Sequence, residues 1–164
     1  MNHQQKAIFL DRDGVLNRER GEYTYRVEDF EILSDVGSCL KELSDAGYLL
    51  IVVTNQSGIA KGLYSKGDVE IVHNYLKNEL KKFGVELAGV YFCPHHPDFG
   101  KCLCRKPQSS MIERAMARFK IDASQSFLIG DKERDVEAGE RVGVKGIQIP
   151  SNTSLKLVMK EIIG

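Results

Sequence analysis

Residues 7–17 read AIFLDRDGVLN: a short apolar run, Ala7 to Leu10, stops abruptly at Asp11-Arg12-Asp13-Gly14. A brief apolar run bounded by polar residues is how a strand buried on both faces reads, and such a strand presents polar side chains at its carboxyl end. The pattern recurs: Tyr48 to Val53 ends at Thr54-Asn55-Gln56, and Ser126 to Ile129 ends at Gly130-Asp131. Gly89 to Phe92 and Gly146 to Ile149 are two more strand-like runs.

Helical spacing fills the intervals. Val36, Leu40 and Leu43 mark one helix, and Val69, Val72, Leu76, Leu80 and Phe83 mark a longer one that Ser65 and Asp68 open as a capping box. Met111, Ile112, Ala115 and Phe119 mark a third, followed by Glu133 to Val142 and a last helix around Leu155 to Ile162. Strand alternating with helix predicts an α/β fold: a single Rossmann-like domain over residues 1–164, its mostly parallel sheet carrying helices on both faces. Such sheets bind ligands beyond the carboxyl ends of their strands, so the polar tips at 11, 54 and 131 should converge. The intervals leave no room for a separate cap domain. Loops, chiefly Arg18 to Arg26, Gln56 to Gly62 and an inserted loop at 93–104, should cover the site and choose the substrate.

Lys plus Arg and Asp plus Glu each number 23, so no global field attracts nucleic acid or an anionic membrane. No apolar run approaches membrane-spanning length, and Met1 to Lys6 is polar, with no sign of a signal peptide. The expectation is a cytoplasmic monomer acting on a small molecule.

Asp11 sits where a carboxylate can attack phosphorus and split a slow hydrolysis into two displacements. Asp13, two residues on in an extended segment, emerges on the same side and can exchange the proton of the leaving oxygen and of the attacking water. Phosphate would repel these carboxylates, so a hard cation is expected, with Asp131 as a third contributor and Mg2+ as the ion. Thr54 and Asn55 offer a hydroxyl, an amide and backbone N–H groups to phosphoryl oxygens, and Lys106 a positive charge. Asp135 orients either Lys106 or the metal shell. Gln56 and Ser57 either touch the substrate or shape the loop. Arg105 suits a remote phosphate, because a guanidinium makes bidentate contacts with phosphate oxygens.

Cys93, His95, Cys102 and Cys104 form C-x-H-x6-C-x-C, a set suited to a closed tetrahedral Zn2+ site, with His96 as a competing imidazole. Such an ion has no open position and should order the loop, holding Arg105 and Lys106 over the phosphate site. Cys39 falls on the apolar side of a helix and reads as core, whereas His3 and His73 read as solvated surface residues.

Four segments in order, DRDGVLN at 11–17, VTNQSGIAKG at 53–62, CRKP at 104–107 and GDKERD at 130–135, resemble the motifs of the haloacid dehalogenase (HAD) superfamily of phosphatases. Within it the sequence is most similar to the D-glycero-D-manno-heptose 1,7-bisphosphate phosphatases of nucleotide-activated heptose and lipopolysaccharide biosynthesis. That resemblance implies Asp11 as nucleophile, Asp13 as acid and base, Mg2+ on Asp11, Asp13 and Asp131, and Arg105 and Lys132 as contacts to a phosphorylated sugar. The sequence departs from the pattern at Lys61 and in the Arg18 to Tyr25 loop. Histidinol-phosphate phosphatases share the motifs and a similar loop, but the SGIAKG continuation favours the heptose group. A DNA 3′-phosphatase would want a basic surface, and a non-catalytic zinc-stabilised binding module would not need Asp11, Asp13, Lys106 and Asp131 together.

Overall fold

A computed structural model describes residues 3–164. Five strands form one parallel sheet: β1 (Lys6–Leu10), β2 (Tyr48–Asn55), β3 (Gly89–Cys93), β4 (Phe127–Gly130) and β5 (Lys145–Gln148). Their order across the sheet is β3-β2-β1-β4-β5. The chain winds outward from β1 in one direction and then restarts at β4 on its other side. The crevice that such a reversal opens lies at the carboxyl ends of β1 and β4, where Asp11 and Asp131 follow.

Side chains of β1 alternate between two cores, as a pleated strand requires. Ile8 and Leu10 join Leu50, Val52 and Ile129 against α1 (Val36–Asp45), α2 (Lys66–Lys81) and α5 (Lys156–Ile163). Ala7 and Phe9 join Ile51, Val53 and Leu128 against α3 (Ser110–Phe119) and α4 (Glu133–Glu140). Both faces are thus covered, and the single α/β domain is the predicted one. Among the described residues no second globular unit interrupts the strands.

The predicted helices stand with small shifts at their ends. Ser65 Oγ accepts Asp68 N at 3.1 Å while Asp68 Oδ2 accepts Ser65 N at 2.9 Å, the reciprocal cap of α2. Phe83 departs from its expected place: α2 ends at Lys81, and the exposed ring lies against Gly37 of α1 instead of entering the core. Cys39 is buried in the core, as its helical position implies.

Candidate active site

Three strand tips meet at the base of a cavity of about 540 Å3, lined there by Asp11, Lys106, Asp131 and Asp135. Lys106 Nζ lies 2.9 Å from Asp11 Oδ1, 2.7 Å from Asp135 Oδ1 and 2.8 Å from the carbonyl of Val53. An ammonium with three donors is therefore fully satisfied between two carboxylates and a carbonyl. Burial alone would lower the Lys106 pKa, but Asp11 and Asp135 outweigh it and hold the amine charged. For Asp11 burial pushes the carboxyl well above its usual range; Lys106 pulls it down, and Asp135, Asp13 and Asp131 push it further up. So much negative charge in one buried place calls for a cation.

One carboxylate oxygen from each of Asp11, Asp131 and Asp135 lies within 4.8 Å of the others, a grouping that could hold a metal ion. Asp135 is otherwise engaged, with Oδ1 on Lys106 and Oδ2 accepting Lys132 N at 3.0 Å, so it orients the lysine and caps α4. Asp131 Oδ2 accepts the Ser151 hydroxyl at 2.5 Å. Gly14, with φ 88°, passes so close to this carboxylate that a Cβ would collide with it.

Asp13, expected as a ligand beside Asp11 and Asp131, is absent from that side-chain grouping. Its Oδ1 accepts Arg12 at 2.9 Å and Asn17 at 3.0 Å, and its Oδ2 accepts Gln56 Nε2 at 3.2 Å. Among the described residues its main-chain carbonyl accepts no backbone bond. Burial raises the Asp13 pKa, but Arg12, Asn17 and Gln56 together hold it below the ordinary carboxylate value.

Arg12 is the support that sequence reasoning missed. It is fully buried, bonds the Thr24 carbonyl at 2.8 Å, and lies 3.3 Å from His73 Nε2. His73 is correspondingly not a surface residue: it is 5% exposed, and burial, then the neighbouring guanidinium, lowers its pKa to about 3. A helix position read as wet thus carries a neutral imidazole close to Arg12 and Asp13. His3 is exposed, as expected.

Asn55 and Gln56 line the cavity, whereas Thr54 does not. Thr54 is buried, and its Oγ1 accepts Gln56 Nε2 at 2.9 Å. The Asn55 side chain clamps a main chain, with Oδ1 accepting Lys106 N at 3.0 Å and Nδ2 donating to Lys106 O at 3.3 Å. Gln56 links Thr54 and Asp13, and its carbonyl accepts the Tyr64 hydroxyl at 2.8 Å.

Ser57, Arg105 and Lys132 line the cavity as predicted. Arg134, Glu19, Gly21, Glu22, Tyr23 and Thr24 also line it without having been singled out. Apart from Arg134 they belong to the 18–26 loop, expected as a cover that chooses the substrate.

Beside the cavity, one donor atom from each of Cys93, His95, Cys102 and Cys104 lies within 4.8 Å of the others. His96 is engaged elsewhere: its Nδ1 accepts Asp98 N at 3.1 Å and caps a single turn over Pro97–Phe99. The Cys93 and Pro94 carbonyls accept Gln56 N and Ala60 N at 2.8 and 3.1 Å, so this loop also braces the 56–62 segment.

A HAD-hydrolase-like family model matches residues 103–160. The chain is 43% identical over 151 residues to the D-glycero-α-D-manno-heptose-1,7-bisphosphate 7-phosphatase of Photorhabdus laumondii, covering 88% of this chain and 82% of that one. It is 44% identical over 153 residues to the D-glycero-β-D-manno-heptose-1,7-bisphosphate 7-phosphatase of Helicobacter pylori, covering 90% and 87%. Among solved structures, the D,D-heptose 1,7-bisphosphate phosphatase of B. bronchiseptica, complexed with magnesium and phosphate, superposes with a TM-score of 0.85 at 28% identity, covering 95% and 87%.

Proposed function

The chain belongs to the D-glycero-D-manno-heptose 1,7-bisphosphate 7-phosphatases of the HAD-like hydrolases, and from that premise we propose that it removes the C7 phosphate through an aspartyl-phosphate on Asp11. The observation that carries this reading is the meeting of Asp11, Lys106 and Asp131, from separate segments, at the base of one cavity.

Lys106 fixes one oxygen of Asp11, and the carboxylate attacks phosphorus as the bond to the sugar oxygen breaks. Asp13 gives that oxygen its proton, then takes one from the water that hydrolyses the acyl phosphate. Arg12 keeps Asp13 ionised in the free protein; the incoming phosphate charge raises its proton affinity and prepares it as an acid. The carboxylates of Asp11 and Asp131 and the main-chain carbonyl of Asp13 would hold Mg2+, whose charge offsets the repulsion between carboxylates and phosphate.

Arg105 and Lys132 would meet the second phosphate, and Ser57 the sugar. Three thiols and an imidazole make the donor set of a closed zinc site, which supports Zn2+ as a structural ion on Cys93, His95, Cys102 and Cys104. The relatives' activity supports a phosphorylated sugar as the partner, and among the described residues no helix is long and apolar enough to cross a membrane.

The test is Asp11→Asn, assayed for phosphate release from both anomers of the heptose bisphosphate and from histidinol phosphate. Turnover should fall by at least about 10^3-fold with unchanged circular dichroism, as expected for loss of a nucleophile. Retained turnover in this variant, or faster hydrolysis of histidinol phosphate by the parent protein, would overturn the reading.

A further inference from the structure

The wall built by the 18–26 loop is held toward its end by the buried Arg12, which bonds the Thr24 carbonyl, and by the Arg20–Asp29 pair; its flanks depend on weaker contacts. Arg18 with Glu31 and Arg26 with Asp29 are exposed ion pairs, which contribute weakly in water. At its start the loop is gripped from the turn after β5. Asn152 Oδ1 accepts Glu19 N at 2.7 Å, and Asn152 Nδ2 donates to Glu19 O at 3.0 Å. The main-chain N–H of Asn152 donates to Gly14 O at 2.8 Å, within the turn that carries the nucleophile. Asn152 adopts φ 65°, a conformation that asparagine tolerates better than most residues. A single side chain and its own backbone thus tie the wall to the nucleophile turn.

Glu19 and Glu22 bring carboxylates to this wall, Glu22 paired with Arg20 of the same loop at 3.1 Å, while Arg105, Lys132 and Arg134 bring cations from other segments. One Glu19 oxygen accepts Gly21 N at 2.8 Å, which turns the loop back on itself. Carboxylates accept hydrogen bonds from hydroxyl groups and repel further anions, so such a wall favours the uncharged polyol part of a substrate.

We infer that Asn152 is a specificity-determining positioning residue: its clamp on Glu19 fixes the Glu19 carboxylate and the wall that bears it relative to Asp11, so that a polyhydroxylated phosphate ester is recognised and a small ester gains nothing from it. The inference rests on the phosphatase reading above. It requires no contact between Asn152 and the reacting atoms.

The experiment uses Asn152→Gly in the full chain, because glycine accepts φ 65° and keeps the bond to Gly14 while removing both bonds to Glu19. With the heptose bisphosphate, KM should rise roughly tenfold, the scale of two lost hydrogen bonds, while kcat/KM for p-nitrophenyl phosphate stays at the parent value. Amide hydrogen exchange over residues 18–24 should quicken in the same variant, without change in β1 or β4. An unchanged KM for the sugar, equal losses on both esters, or unchanged exchange would each overturn the inference. Exchange needs no turnover, so a parent protein inert toward both esters would sink the phosphatase reading while exchange still decided the clamp.

Discussion

Two asparagines do the same mechanical task in two unlike places. Asn55, at the tip of β2, makes a reciprocal pair with the main chain of Lys106, and Asn152 makes one with the main chain of Glu19. Around the first, Lys106 is 2% exposed and its ammonium is gripped by Asp11, Asp135 and Val53. Around the second, the loop rests on exposed ion pairs and a partly buried aromatic cluster in which Tyr25 stacks on Tyr64 at 4.9 Å. The floor of the cavity is a network of buried charged groups, whereas the wall, apart from the bond of Arg12 to the Thr24 carbonyl, is held by contacts nearer solvent. Reaction chemistry should accordingly depend on the floor, and substrate choice on the walls.

The most severe challenge to that division is Lys106→Met, which keeps the bulk of the stem and removes the charge between two buried carboxylates. Turnover should drop about 10^3-fold on every phosphate ester tested, because electrostatic stabilisation is lost wherever the substrate comes from. Melting temperature should also fall, since breaking a buried pair leaves uncompensated charge. A loss confined to the sugar substrate would erase the distinction between floor and wall.

The Cys/His loop tests the boundary between the two regions. The sequence suggests that the zinc loop holds both Arg105 and Lys106, yet Lys106 Nζ finds all its partners in the floor. Stripping zinc with a chelator and restoring Mg2+ should therefore raise KM for the bisphosphate, by up to about 100-fold for a displaced Arg105, and leave kcat within a few-fold. Zinc should restore KM, and Cys102→Ser should reproduce the defect. An equal collapse of kcat would show that the loop governs the lysine after all.

The mildest effect lies beneath the floor. His73 faces Arg12, Asp13 and Lys77 and is neutral when folded, with a pKa near 3 against an ordinary value of 6.5. Its folded pKa lies below its unfolded one, so its contribution to stability is complete above about pH 6.5 and is lost progressively toward pH 3. Between pH 7 and pH 5 denaturant titration should register a loss about 2 kcal/mol larger in the parent than in His73→Gln. The raised Asp11 carboxyl works in the opposite direction, so the difference between parent and His73→Gln isolates the imidazole, and identical pH dependence of the two proteins would contradict its neutral buried state.

Much of this was legible before any coordinates. Asp11, Lys106, Asp131 and the grouped Cys93, His95, Cys102 and Cys104 announce themselves because strand tips and short-range Cys/His spacings are local patterns. Asn55 was seen in the right place with a different job: a side-chain amide beside a phosphate site can bond ligand or main chain, and only the position of Lys106 decides between them. His73 was misread because its neighbour in space, Arg12, is 61 residues away, and a buried guanidinium is invisible to helical periodicity. Asn152, 133 residues from Glu19, left no pattern at all.

The amino-acid sequence by itself determined the alternation of strands and helices, the strand tips that bear carboxylates, and the donor set of the metal loop, because each depends on residues close together in the chain. Tertiary structure alone decided which carboxylates face one another, that Asp13 turns toward Arg12, and that Asn152 clamps the 18–26 wall at Glu19. Those outcomes depend on the order β3-β2-β1-β4-β5 and on the close approach of distant loops, where burial and hydrogen-bond partners are supplied by residues far away in the chain.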